Sequence, residues 1–413
     1  MTSRRHAARP NIVVVLADDM GYSDVGYHAT GGLVPTPFID ALSSTGIRFN
    51  RHYVQPVCTP TRAALMTGRY AANTGLVWPM VPGCPAGLPN DMDTLPRALK
   101  REGYRTYMSG KHHLGHAQWR QTPPGIGFDE FVGCYIYKKQ MYENAWRPLT
   151  LDWVRAFGNR SYEHFAEPRH ATQAITEEAQ RMVAAHRERH GNQPLFLYVA
   201  YTAAHSPLQP MPEHEQPCAH IKHLWRRQFC GMVVGLDEGM RNLTKTVLAE
   251  LGSDTVLVFS SDNGGSTWFG GLNAPFRGGK STPLEGGVRV PAFAVDFSED
   301  GRYLGEGGWA YDGMVHVSDW FPTLLSVAGG DSRPLTAAGG DGIDMARALR
   351  RRDQGGHRHE TLLEMYDAKD FIYNESLVSY LLGDMKLIEG VIRDPMYYYE
   401  SERDCINSTD TSL

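Results

Sequence analysis

Short runs of consecutive apolar residues recur along the chain, separated by amphipathic stretches of helical spacing. Ile12–Ala17 (IVVVLA) and Pro194–Tyr201 (PLFLYVAY) leave almost no polar position on either side of a pleat. Strands of that kind are buried on both faces, as in a parallel sheet covered by helices. Further strands are expected at Tyr104–Ser109 and Thr255–Ser260. Helical spacing predicts Pro37 to about Ser44 behind Thr36, Arg62–Thr67 stopped by Gly68, and Asp93–Glu102 closed by Gly103. It also predicts about Thr172 to His186, Arg226–Glu250, and Asp319–Val327 behind Ser318. This alternation of strand and helix implies an α/β fold with a large, mostly parallel sheet flanked by helices.

Near Gly329 the pattern breaks. AGGDSRPLTAAGGDG reads as a linker, and the strand-like runs Glu360–Tyr366 and Leu377–Ile388 come after it. The expected organisation is a main domain over 1–328 and a smaller C-terminal α+β domain over 329–413.

Composition narrows the function only by exclusion. With 413 residues, 42% hydrophobic, 21% charged and a net charge of −5, nothing favours nucleic acid or a membrane surface as partner. The apolar runs fall well short of the roughly 20 residues that span a bilayer. The basic N-terminus MTSRRHAARP has no apolar core of a signal peptide. Sequons at Asn159, Asn242, Asn374 and Asn407 nevertheless suggest the secretory pathway, with a lysosomal or extracellular destination. Of the six cysteines, Cys58 stands apart; the other five allow at most two internal disulfides, of unreadable connectivity.

Candidate chemistry gathers at the strand ends, where ligands bind in open parallel sheets. Asp18-Asp19 come after the first strand, GKHHLG (Gly110–Gly115) after Tyr104–Ser109, His205 after Leu195–Tyr201, and Asp262-Asn263 after Thr255–Ser260. Two adjacent aspartates, a third aspartate and an asparagine form an all-oxygen set suited to Ca²⁺ or Mg²⁺. Alone, the aspartate pair could be a turn or helix cap, and DNGG a plain turn. Lys280 lies in the Gly-rich segment FRGGKSTPLEGGVR, either an anion-approaching loop or a solvated one. His113 and His205 stand out by position; His112, His116, His164 and His190 read as packing or surface residues.

VCTPTRAALMTGR (Val57–Arg69) carries a lone cysteine followed by Pro60 and Arg62. Cys58-Thr59-Pro60-Thr61-Arg62 resembles the Cys-X-Pro-X-Arg signature of the sulfatase family, and GKHHLG resembles its second signature. LADDMGYSDVGYH, SSDNGG and FRGGKSTPLEGGVR are similar to its metal-site stretches, with the arylsulfatase B branch as the nearest likeness. The resemblance implies an alkaline phosphatase-like fold and hydrolysis of sulfate esters of sugars, glycosaminoglycans and aryl alcohols. It implies that Cys58 becomes a formylglycine through a formylglycine-generating enzyme. It implies one Ca²⁺ held by Asp18, Asp19, Asp262 and Asn263, with residue 58 beside it. Arg62 and Lys111 would hold the modified residue, His113 would trigger sulfate release, and His205 and Lys280 would contact sulfate and protonate the leaving oxygen. Gly133–His170 lacks a clear match to the family's stretches. A phosphomonoesterase or phosphodiesterase of the wider superfamily, and an inactive sulfatase-like binding protein, are the competing readings.

Overall fold

In the first strand, β1 (Asn11–Ala17), Ile12, Val14 and Leu16 enter one apolar core and Val13, Val15 and Ala17 another. Period-two alternation with both faces apolar forces a sheet covered on both sides. The computed structural model describes residues 9–29, 34–136, 141, 153–158, 160–165, 167–333, 338–366, 376–390 and 392. Its helices are α1 (Pro37–Thr45), α2 (Cys58–Thr67), α3 (Leu95–Arg101), α4 (Ala171–His190), α5 (Pro212–Glu215), α6 (Leu224–Leu251), α7 (Glu285–Val288), α8 (Trp320–Val327) and α9 (Ala346–Arg350). The first core joins one face of β1 to α2, α3 and α8; the second joins the other face to α1, α4 and α6.

The other strands of the large sheet are β2 (Ile47–Tyr53), β3 (Arg105–Lys111), β4 (Glu130–Cys134), β5 (Trp153–Phe157), β6 (Tyr162–His164), β7 (Leu195–Ala200), β8 (Thr255–Ser261), β9 (Ala292–Asp296) and β10 (Trp309–His316). They lie in the order β10-β2-β9-β8-β1-β7-β3-β4-β5-β6. Only β5 and β9 run against the rest. The ends of β1, β2, β3, β7 and β8 therefore open on one edge, which gathers the chemistry.

The strands and helices expected from periodicity appear with bounds shifted by a few residues. One shift matters for the site: α2 begins at Cys58 rather than Arg62 and is buried throughout. Pro60 fits in its first turn, where its missing N–H costs nothing. Gly68 ends it at φ 65°, in the left-handed region that favours glycine.

Past residue 329, Met345, Ala346 and Leu349 still join the first core. The run expected at Leu377–Ile388 is a hairpin, β12 (Leu377–Leu382) and β13 (Met385–Gly390), paired antiparallel with β11 (Glu360–Tyr366). Leu363 and Leu381 of this small sheet pack with Tyr53, Val288 and Met314 of the main body. A buried Arg358–Asp319 ion pair ties the two parts, and Arg358 also donates to the Asp341 carbonyl at 2.7 Å.

Cys218 and Cys230 form a disulfide, and Cys58, Cys84 and Cys134 are buried. Asn242 lies partly exposed on α6. Asn159, Asn374, Asn407 and Cys405 lie outside the described residues. Among the described residues no helix is long and apolar enough to cross a membrane.

Candidate active site

Five parallel strand ends supply the cluster. Asp18 and Asp19 come directly after β1, and Asp262 and Asn263 after β8; all four are buried. β1 and β8 pair in register from Asn11–Thr255 to Ala17–Ser261, so both pairs leave the sheet side by side. The Asp262 N–H donates to the Ala17 carbonyl and the Asp19 N–H to Asp262 Oδ1 at 3.2 Å. Asp19 has φ 62° and His113 φ 60°, conformations that L side chains adopt at a cost of about 1–3 kcal/mol each and that recur where function dictates geometry.

Three cations face these carboxylates. Lys111, the last residue of β3, places Nζ 2.7 Å from Asp18 Oδ2. Arg62 on α2 donates through Nε and Nη2 to Asp262 Oδ2 at 3.1 and 2.7 Å, and through Nη1 to the Lys111 carbonyl at 2.8 Å. Lys280 reaches Asp19 Oδ1 at 2.7 Å. The loop bearing Lys280 folds in because Gly264 and Gly286 touch backbone to backbone; a Cβ on Gly264 would meet the Gly286 oxygen at 1.8 Å. Three carboxylates thus meet three fixed cations, a neutral set before any metal binds.

Cys58 sits in the first turn of α2 with Sγ 3.5 Å from Asp18 Oδ1. Burial first, and the Asp262 charge next, push its thiol up to about 12. At neutral pH it is therefore a thiol, not the thiolate that a cysteine nucleophile requires. Burial opposes ionisation of Asp18, but Lys111, His205 and Arg62 together hold its carboxyl below the usual range. Lys280 and His205 do the same for Asp19 against its burial.

The two histidines differ in what their bonds allow. His113 Nε2 lies 2.8 Å from the Met80 carbonyl, so it carries the proton and Nδ1 the lone pair. Burial, then Lys111, keep this ring well below its usual pKa, a neutral base. His205 Nδ1 is 2.5 Å from the Ser206 carbonyl, leaving Nε2 on the side of Asp19 at 3.9 Å. Burial and Lys280 lower its pKa too.

Every residue expected at the site from the sequence lies in this cluster or in the residues that bond to it. Three positioning residues give no local signal. Asn273 clasps the Lys280 loop, accepting from Gly265 N at 2.8 Å and donating to Gly265 O at 2.9 Å. Asp24 pairs with Arg226, 202 residues away, and caps Gly21 N. The Thr59 hydroxyl bonds the His113 carbonyl at 3.0 Å. The Asp24–Arg226 and Thr59–His113 contacts join distant parts of the chain, and the Asn273 clasp closes the loop back to Gly265, eight residues away.

The residues fit a hard divalent cation. Asn263 donates its amide N–H groups to Asp19 Oδ1 and the Gly264 carbonyl, while its amide oxygen is buried without a hydrogen-bond partner. A lone buried acceptor costs about 1–3 kcal/mol unless a donor or cation meets it. Asp18, Asp19, Cys58 and His205 also bring one ligand atom each within 4.8 Å of one another, a set that zinc could use. The lone amide oxygen of Asn263, beside three carboxylates, suits a hard ion rather than zinc.

The sulfatase family model matches residues 10–330. Arylsulfatase J of Mus musculus is 37% identical over 335 residues, 78% of this chain and 53% of that protein. N-acetylgalactosamine-6-sulfatase of Mus musculus is 31% identical over 364 residues, 81% of this chain and 65% of that protein. The chain thus spans between half and two thirds of the length of these curated relatives. Among solved structures, Ps i-CgsB in complex with k-i-k-neocarrahexaose superposes with a TM-score of 0.81 at 28% identity, covering 94% of this chain and 85% of that one. The PsFucS1 sulfatase from Pseudoalteromonas sp. gives 0.76 at 25% identity, covering 92% and 77%. This chain belongs to the sulfatase family.

Proposed function

We propose that the chain hydrolyses sulfate esters of sugars, with aryl sulfates as artificial substrates, using a formylglycine made from Cys58 and one Ca²⁺. The observation that carries this reading is the setting of Cys58. A buried thiol held protonated between Asp18 and Asp262 is a poor nucleophile, yet it occupies the first turn of a helix beside three cations. Conversion to an aldehyde removes the difficulty. Its hydrate supplies two hydroxyls on one carbon, one to displace the alcohol at sulfur and one to expel sulfate. A formylglycine-generating enzyme is the partner this requires.

Asp18, Asp19, Asp262 and Asn263 would hold the Ca²⁺, which supplies Lewis-acid polarisation of a sulfate oxygen when bound. With a divalent ion in place the cluster carries two positive charges, His113 and His205 neutral, and so favours an anion. Arg62 fixes Asp262 through Oδ2, and Asp262 takes the proton of the attacking hydroxyl. His113 Nδ1 takes the proton of the second hydroxyl. Lys280 holds the sulfate, and His205 with Lys280 serves the leaving oxygen. Sugar substrates are supported by the relatives named as N-acetylgalactosamine-6-sulfatase and by the carbohydrate complex of Ps i-CgsB. The disulfide and the partly exposed sequon at Asn242 support an oxidising, secretory location.

The test is the mass of the peptide bearing residue 58 together with turnover. The peptide is expected about 18 Da lighter than its cysteine form, a difference set by covalent chemistry alone, and Cys58→Ala is expected to abolish turnover without lowering the melting temperature. An active enzyme with unmodified Cys58 throughout defeats the mechanism.

A further inference from the structure

The turn after Asp262 and Asn263 carries a surface that the proposed chemistry does not use. Thr267–Phe269 form one 3-10 turn, and Gly270 after it lies against the start of α6. A Cβ on Gly270 would meet Arg226 Cα at 2.8 Å. Arg226 donates to the Gly270 carbonyl at 2.8 Å and pairs with the buried Asp24, which accepts from Leu272 N at 3.1 Å. Turn and helix start are thus clamped together by a buried ion pair. On this base the rings of Trp225 and Phe269 lie 6.1 Å apart at 37°. Trp225 is 48% exposed and Trp268 44%.

This surface adjoins the anion site. The Gly265 carbonyl accepts from Lys280 N at 3.2 Å, and a Cβ on Gly279 would lie 3.2 Å from Thr267 Cγ2. Trp268 is three residues beyond Gly265, within about 10 Å along the chain. Two tryptophans held half-exposed on a rigid backbone beside a site for a sulfated sugar match one kind of occupant. A pyranose ring offers an apolar C–H face to an indole and a polar edge to its surroundings. The exposed Lys222 and His223 supply that polar border, with His223 set edge-on to Trp225 at 6.4 Å.

We propose that Trp225 and Trp268 form a stacking platform for the pyranose units next to the one whose sulfate reaches Lys280. The proposal rests on the sulfatase reading for its substrate, and it makes the chain a sulfatase of oligosaccharides rather than of single sugars.

The test uses the full chain with Trp225→Ala, Trp268→Ala and the double variant, assayed on hexasaccharides of chondroitin 4-sulfate, chondroitin 6-sulfate and carrageenan, and on nitrophenyl sulfate. The double variant is expected to raise KM about tenfold on the hexasaccharide that is cleaved, the size of two modest aromatic contacts together. Its kcat on that substrate is expected to stay unchanged, as are both constants on nitrophenyl sulfate, which has no neighbouring sugar. Trp225→Phe with Trp268→Phe is expected to restore most of the KM, which separates stacking from a folding defect. Equal losses on both substrates, or an unchanged hexasaccharide KM, overturn the platform. Should none of the sulfate esters be cleaved, the sulfatase reading fails by itself. Calorimetric titration of the same hexasaccharides then decides the platform: no binding, or binding equal in wild type and double variant, overturns it.

Discussion

The lone amide oxygen of Asn263 makes the metal site testable without turnover. Consider Asn263→Ala in protein stripped of metal. The substitution removes an unpaired buried acceptor, which costs the wild type about 1–3 kcal/mol. It also removes the bonds from Nδ2 to Asp19 Oδ1 at 2.8 Å and to the Gly264 carbonyl at 3.0 Å. Two such bonds contribute about 1–3 kcal/mol together. The two terms are of similar size, so the metal-free variant should melt close to the metal-free wild type. Calcium breaks the tie. At a free concentration of about 100 Kd, an ion that binds only the folded state adds about 2.7 kcal/mol. The variant lacks one of four ligands and should gain far less at the same concentration. The assay is thermal unfolding of both proteins in chelator, then in Ca²⁺, Mg²⁺ and Zn²⁺. An equal calcium shift in wild type and variant would refute the assignment of Asn263. A wild type stabilised by Zn²⁺ but by neither Ca²⁺ nor Mg²⁺ would refute the oxygen-only site.

Three further outcomes are expected. His205→Ala and Lys280→Ala should lower kcat/KM more on a sulfated sugar than on nitrophenyl sulfate, because only the sugar alkoxide needs a proton as it leaves; equal losses in both variants assign the two residues to binding alone. Arg358→Met should cost about 3–5 kcal/mol in urea unfolding, since it strands the carboxylate of Asp319, which also accepts from Ile343 N at 2.7 Å; a loss under about 1 kcal/mol shows that the pair is not needed to join the small sheet to the body. Burial pushes the Asp237 carboxyl up to about 6 while it accepts the Phe38 and Ile39 N–H groups at the start of α1. A folded value above the unfolded one means stability rises as pH falls through about 6 and levels near 4, and Asp237→Asn should flatten that rise between about pH 7 and pH 5; an unchanged slope defeats it.

Most of the site was legible in the sequence because its residues sit at strand ends. β1, β7 and β8 are largely apolar on both sides and β3 is buried along nearly its whole length, and residues just beyond a buried strand in a parallel sheet land on one edge. Cys58 was legible only through its neighbours Pro60 and Arg62, since β2 before it reads IRFNRHY, where Asn50, Arg51 and His52 in a row break the period-two pattern. β10 was hidden for a different reason. Its Asp312-Gly313 pair reads as a turn, yet the strand absorbs it as an irregularity between Tyr311 and Met314 in its pairing with β2. β9 runs antiparallel and is five residues long, too short for periodicity to separate from a loop. Asp24 and Thr59 were not read as positioning residues because Arg226 and the His113 carbonyl lie 202 and 54 residues away, and Asn273 because its clasp on Gly265 is made only once the loop between them closes.

The bonding around Asp19 separates roles that the sequence left joined. His205 gives its Nδ1 proton to the Ser206 carbonyl, so a neutral His205 has a lone pair at Nε2 and nothing to donate there. It becomes an acid toward a leaving oxygen only as imidazolium, and burial together with Lys280 works against that charge. Lys280 is the opposite case. Burial would lower its pKa, but the Asp19 carboxylate at 2.7 Å holds it above the ordinary lysine range. An ammonium so stabilised holds an anion well and releases its proton poorly. The two residues share Asp19: its carboxylate holds the lysine charged and, 3.9 Å from His205 Nε2, also favours the imidazolium against burial and Lys280. A bound sulfate brings negative charge to both groups and favours the protonated imidazole. On the proposed reading, the charge on Asp19 and on the substrate would set which of the two supplies the proton to the leaving oxygen.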